Sequence, residues 1–167
     1  MEDEGVAVLF LEVAGRTFGV ESGQVETLRR KETVYPAQDG FPGLLGFLPM
    51  GEGLVPIIDL GARLGLRQTG ENYRRLLVVT APETAELAFL VDLVDGPTFV
   101  PWDRLSLLPE YLQGLQARPL VWGMAWRGEV LVPLLDLGQV VPIEEATALQ
   151  EIVRGLQGGR YGGNDTA

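Results

Sequence analysis

Four aspartates, Asp59, Asp92, Asp95 and Asp136, are the side chains of this 167-residue sequence best suited to chemistry. Two carboxylates in unlike surroundings can divide the acid and base work of a hydrolysis, and Asp92 with Asp136 is the pair such an enzyme would use. No other residue type helps them. Histidine and cysteine are both absent, which removes imidazole bases, Ser-His-Asp triads, thiolate nucleophiles and Cys/His metal sites. The glycines form neither a Gly-Lys-Ser/Thr phosphate loop nor a Gly-x-Gly-x-x-Gly fingerprint between a strand and a helix. The expectation is a chain with no catalytic residue, no metal and no cofactor.

Asp59 and Asp136 occupy the same place in an internal repeat. Residues 46–61, Gly46-Phe-Leu-Pro-Met-Gly-Glu-Gly-Leu-Val-Pro-Ile-Ile-Asp-Leu-Gly61, return 77 positions later as Gly123-Met-Ala-Trp-Arg-Gly-Glu-Val-Leu-Val-Pro-Leu-Leu-Asp-Leu-Gly138, with nine of sixteen positions identical. A duplicated carboxylate points to a duplicated structural duty, and an Asp after an apolar strand can accept backbone N–H bonds in its own turn. Each copy reads as a turn, an apolar strand and a second turn. Pro56 and Pro133 stand mid-strand and cannot donate to a ladder, so each strand should lie at a sheet edge or carry a bulge there.

The duplication extends outward. Val6–Val13 reads as a strand, Ala14-Gly15-Arg16 as a hairpin turn, Thr17–Val20 as the return and Val25–Leu28 as a third strand. Leu76–Thr80, a loop at 81–86, Leu87–Val91 and Asp92–Val94 repeat that order. A surface loop is expected at 38–41, and polar residues 67–72 mark the boundary between halves. Pro109–Gln113 reads as a helical turn within an insertion at 99–120. From 142 to 157, Ile143, Ala146, Leu149, Val153 and Leu156 share one face of an amphipathic helix with acids in its first turn. Residues 1–5 are expected to fray, and 158–167 lacks side chains to bury and is expected to be disordered.

With 23 acidic against 13 basic residues the net charge is −10, and neither Arg29-Arg30-Lys31 nor Arg74-Arg75 supplies the positive field a nucleic acid or anionic membrane needs. No apolar run nears the ~18 residues of a membrane span, and the first residues lack the positive start of a secretory signal, so a cytoplasmic protein is expected. The second core accounts for Trp102 and Trp122 better than an interface does, while Trp126, beside Arg127 where the first copy has Pro49 and Met50, stands between the two. Phe47-Leu-Pro-Met50 is an apolar turn, either tucked under or offered to a partner. Phe47, Met50, Trp126 and Arg127 are therefore candidate contact residues.

Several segments, in their order and spacing, resemble the CheW-like coupling proteins of bacterial chemosensory systems. In the first half they are Leu9-Phe-Leu-Glu-Val13, Phe18-Gly19-Val20 with Val25, and Gly46 followed ten residues on by Pro56-Ile-Ile-Asp59-Leu60 and then Leu64-Gly65. In the second they are Leu76-Leu-Val-Val79, Leu90-Val-Asp92-Leu-Val94, Tyr111, and Gly123 to Leu137. The resemblance covers about residues 6–141. It implies an all-β fold with minor helix: one domain of two pseudo-duplicated five-stranded small β-barrels, about 6–70 and 71–141, with terminal segments crossing between them. It also implies a non-enzymatic adaptor that binds the regulatory domain of a chemotaxis-type histidine kinase and the cytoplasmic tip of a methyl-accepting receptor, at membrane-associated arrays. Carried over by position, the receptor groove would include Val25, Thr27 and Gly46. The family's usual Asn-Leu-Arg-Gly has no match, because Gly51-Glu52, or Met50-Gly51 after a one-residue slip, stands in its place. Flagellar chemotaxis and twitching or gliding motility both remain open as outputs.

Overall fold

The computed structural model describes residues 4–30, 35–36, 43–51, 53–66, 75–80 and 86–166. The loop expected at 38–41, the boundary at 67–72, most of the 81–86 loop and residues 1–3 of the end expected to fray lie outside the described residues, while Gly5, also expected to fray, is held in a strand opposite Pro101. The first half contributes β1 (Gly5–Val13), β2 (Arg16–Glu21), β3 (Thr27–Arg30), β4 (Tyr35–Pro36), β5 (Leu44–Met50) and β6 (Gly53–Asp59). The second contributes β7 (Arg75–Thr80), β8 (Glu86–Val91), β9 (Leu93–Pro101), β10 (Leu105–Leu107), β11 (Val121–Arg127) and β12 (Val130–Leu135). Two short helices, α1 (Leu60–Arg63) and α2 (Glu110–Gln113), precede a long one, α3 (Ile143–Thr166).

The strands form two six-stranded sheets, ordered β9-β1-β2-β12-β11-β10 and β3-β7-β8-β6-β5-β4. Each has six strands where five were expected, the additional one being the short β10 or β4. The two orders correspond strand for strand, and each contains one parallel pair, β2 with β12 and β8 with β6, among antiparallel ones. Neither sheet is drawn from one continuous half of the sequence. The opening hairpin β1–β2 joins β9–β12, and the opening hairpin β7–β8 joins β3–β6, so each half donates its first two strands to the other half's sheet.

That exchange explains why β1 and β8 are apolar at both parities. Val8 and Phe10 pack with Val100, Ala125, Val132 and Leu134 inside the first sheet, whereas Leu9, Leu11 and Val13 turn toward the second and meet Ile58, Phe89 and Val91. Ala88 and Leu90 fill the interior of the second sheet with Leu48, Val55 and Ile57. Each strand is a wall shared by two cores, so alternation is lost.

The copies of the repeat superpose as hairpins, β5–β6 and β11–β12. Residues 46–50, expected as a turn, are strand, and the turn is confined to the residues around Gly51 and Gly128, whose positive φ values of 58° and 64° suit glycine. Pro56 and Pro133 are not on edge strands. Each pairs with one neighbour, Phe47 or Met124, and sits one residue before the parallel neighbour begins at Ile57 or Leu134. A proline there forfeits no ladder bond on the second side. The bulges fall in the partner strands, between Leu44 and Gly46 and between Val121 and Gly123.

Helix α3 enters between the sheets with Ala146 and Leu149, then crosses the second sheet with Val153 on Phe47 and Leu54. Its buried face is narrower than the sequence pattern, since Ile143 and Leu156 are exposed. The helix also runs to Thr166, where disorder was expected from residue 158. Once packed turns nucleate a helix, each further residue adds a backbone hydrogen bond, and this carries it through a glycine-rich stretch. Leu149→Ala is expected to cost about 3 kcal/mol in urea unfolding, from lost burial and the cavity left between the sheets. Deleting residues 158–167 is expected to change stability by less than about 0.5 kcal/mol.

Candidate protein-interaction surface

The four aspartates are occupied by the architecture. Asp59 caps α1, its Oδ1 accepting from the Ala62 N–H at 3.2 Å, and Asp136 accepts from the Gly138 N–H at 3.0 Å. Their own N–H groups donate to carbonyls one repeat apart, Asp59 to Gly43 and Asp136 to Leu120. Asp92 accepts from the Ala14 N–H at 2.9 Å and so ties the β1–β2 turn to the start of β9. Asp95 pairs with Arg127. Asp92 and Asp136 thus serve separate turns, and among the described residues no cluster of three or more carboxylates forms a metal site.

Asp59 is 1% exposed. Burial raises its pKa above 3.8, the Ala62 and Gly61 N–H groups work against that rise, and the nearby charge of Asp92 adds to it. A second close pair, missed in the sequence because its members are 60 positions apart, is Glu26 with Glu86. The hydrogen bond that protonated Glu86 donates to the Glu26 carboxylate raises the Glu86 pKa, with smaller contributions from burial and like charge.

The sheets differ in what covers their outer faces. On the second sheet, the face that meets the first at Ile58 continues onto Leu54 and Phe47, where α3 lies. On the first sheet, the face that meets the second at Leu135 continues onto Leu131 with its cross-strand partner Trp126, both 39% exposed. Arg104 sits 5.8 Å from the Trp126 ring centre and donates to the Gly128 carbonyl at 2.6 Å, so the tryptophan is held in place. The arginine could not be paired with the tryptophan from sequence, because β10 and β11 are joined through the insertion.

Residues 7–145 match the CheW-like domain family. The chain belongs to the CheW-like family. No curated protein matches it. Among solved structures it is similar to the scaffolding protein TtCheW from Thermoanaerobacter tengcongensis, at 15% identity and a TM-score of 0.69, over 81% of this chain and 92% of that one. The common fold is the two-sheet arrangement described above.

In this CheW-like chain the proposed groove residues fall on the second sheet and its approach. Val25 follows a 3-10 turn at Ser22–Gln24 and packs against the inter-sheet core, and neighbouring Gln24 accepts from the Leu137 N–H at 2.9 Å. Thr27 opens edge strand β3, and Gly46 is buried at the β5 bulge, with β7, β8 and β6 between the two strands in the sheet order. Phe47 is corrected: it is a strand residue, 4% exposed beneath α3, and cannot meet a partner while the helix is seated. Met50 is half-buried at the end of β5 against the second sheet's interior. Arg127 is exposed, lies over the Phe10 ring at 4.5 Å and closes the end of the first sheet's core. Trp122 packs on that core, but Trp102, assigned to it from sequence, is 53% exposed at the Trp102–Arg104 turn.

The raised pKa of Asp59 has a defined sign. Between pH 3.8 and its folded value the folded chain keeps a proton the unfolded chain has lost, so this carboxyl makes stability fall as pH rises through that window and then level off. Asp59→Asn retains an acceptor for Ala62 and lacks the proton. Urea unfolding is expected to show the Asn variant gaining on the wild type from about pH 4 upward until the Asp59 titration ends.

Proposed function

We propose that this chain is a non-enzymatic adaptor that couples a chemosensory receptor to a chemotaxis-type histidine kinase, acting in the cytoplasm at receptor arrays. The match of residues 7–145 to the CheW-like domain family supports the reading most directly. The engagement of Asp59, Asp92, Asp95 and Asp136 in turns and ion pairs also favours it over a carboxylate hydrolase. Two sheets of like topology with unlike outer faces suit a protein that holds two different partners at once. A signal then passes as a change in packing, with no bond made or broken.

Within this proposal the receptor tip binds along Val25, Thr27 and Gly46, and Met50, Trp126 and Arg127 belong to the partner-contact surface. A second reading, an adaptor for twitching or gliding motility, is favoured by one feature: Gly51-Glu52 stands where the family usually carries Arg-Gly. Titration calorimetry with the regulatory domain of the cognate kinase is expected to give a dissociation constant in the range of about 1–50 µM, and no heat at several times that concentration refutes the adaptor. Thr27→Glu is expected to weaken receptor-tip binding by about tenfold and leave kinase-domain binding unchanged.

A further inference from the structure

Strand β3 ends the order of the second sheet, and its ladder among the described strands is with β7. An edge strand offers a template to a further strand; charges along it are the common safeguard, and charges of one sign repel a second copy. The charges on β3 are of both signs. Glu26 precedes the strand, Arg29 and Arg30 end it, and its middle is Leu28, a leucine left 44% exposed. Exposure alternates along it, Glu26 and Leu28 being exposed and Thr27 and Arg29 half-buried, so positions 26, 28 and 30 share the outward parity.

Within one chain the register sets like charges beside like. Arg30 is paired directly with Arg75 on β7, and like charges at opposed positions weaken a strand pair. At the other end Glu26 shares a hydrogen bond with Glu86, which opens β8, and the like charge of the two contributes to the raised pKa of Glu86. Acids at one end and bases at the other make this edge complementary to its own reverse. In an antiparallel pairing of two β3 strands about Leu28, position 26 of each stands opposite position 30 of the other, and position 27 opposite 29. The positions of each acidic pair then face those of a basic pair, and Leu28 faces Leu28.

We propose that a second copy of this chain pairs with β3 edge to edge, antiparallel about a two-fold axis at Leu28, to give a symmetric dimer in which the two six-stranded second sheets become one. The surfaces joined are the same on both copies, so the contact closes at two and leaves nothing to propagate. A strand of four residues makes a small interface, and the dimer is expected to be weak, populated from about 0.1 mM upward. This goes beyond the adaptor reading and does not depend on it. In the adaptor reading Thr27 meets the receptor tip, and on that reading alone the dimer and the receptor complex exclude one another, because both use β3.

The absence of cysteine allows a direct test. Opposed residues of an antiparallel pair lie about 4.5–5.5 Å apart between Cα atoms, within reach of a disulfide. Leu28→Cys under mild oxidation is expected to self-link at least about tenfold faster than Leu115→Cys, whose leucine is more exposed and lies outside the strands. Glu26→Arg and Arg30→Glu, each made in the Leu28→Cys background, set like charges opposite each other in a homodimer and are each expected to lose that advantage. Mixed together, they set every charge opposite its complement again, and the mixture is expected to link at close to the original rate. Rescue on mixing also shows that both variants are folded. The proposal is overturned if Leu28→Cys links no faster than Leu115→Cys, if the mixture links no faster than either charge variant alone, or if the unmodified chain sediments as a monomer up to about 0.5 mM.

Discussion

The structure depends on one constraint: β1 and β8 must each be buried on both faces. Because each half lends its opening hairpin to the other's sheet, Leu9, Leu11 and Val13 cannot pack without Phe89 and Val91 from the second sheet. Neither sheet is a separate folding unit in consequence. Asp92 reinforces the coupling by accepting from Ala14 across the exchange, and Arg63 adds a bond to the Val140 carbonyl and an ion pair to Glu145 at 2.9 Å, fastening α1 to the start of α3. Paired and partly buried, that arginine is worth more for fixing the helix's entry than for net stability, since desolvation offsets much of the attraction.

The same constraint separates architecture from interaction surface. The repeat carries its carboxylates into turns, where each accepts a backbone N–H, and the buried Asp59 bears the electrostatic cost of that position. The copies differ both in the core, where Leu48 becomes Ala125, and on the surface. Pro49 and Met50 become Trp126 and Arg127, and a covered phenylalanine row becomes an open row with a tryptophan clamped by Arg104. Duplication supplies two like sheets, and divergence on their outer faces gives them different neighbours.

Much of the strand content was legible because it rests on local pattern. The β-former runs at 6–13, 17–20, 76–80 and 87–91 all fall within strands, and the carboxylates after each repeat serve the turns assigned to them. Residues 46–50 were misread because Gly46 and Pro49 look like turn punctuation, while in the structure the glycine sits at a bulge and the proline is exposed. The prolines of β6 and β12 were sent to an edge for want of knowing where the parallel neighbour begins, which no local signal encodes.

By itself the sequence determined that the protein is a duplicated β-structure closed by an amphipathic helix, with no histidine or cysteine chemistry, because apolar period, turn residues and repeat spacing are properties of neighbours along the chain. Only the tertiary structure decided that the opening hairpins change places, that Phe47 lies under α3, and that Trp126 and Leu131 stay open. Those outcomes depend on which strand edges and apolar faces meet across long loops. Two equivalent sheets offer a helix two equivalent seats, and the path of the chain after Leu137 chooses between them.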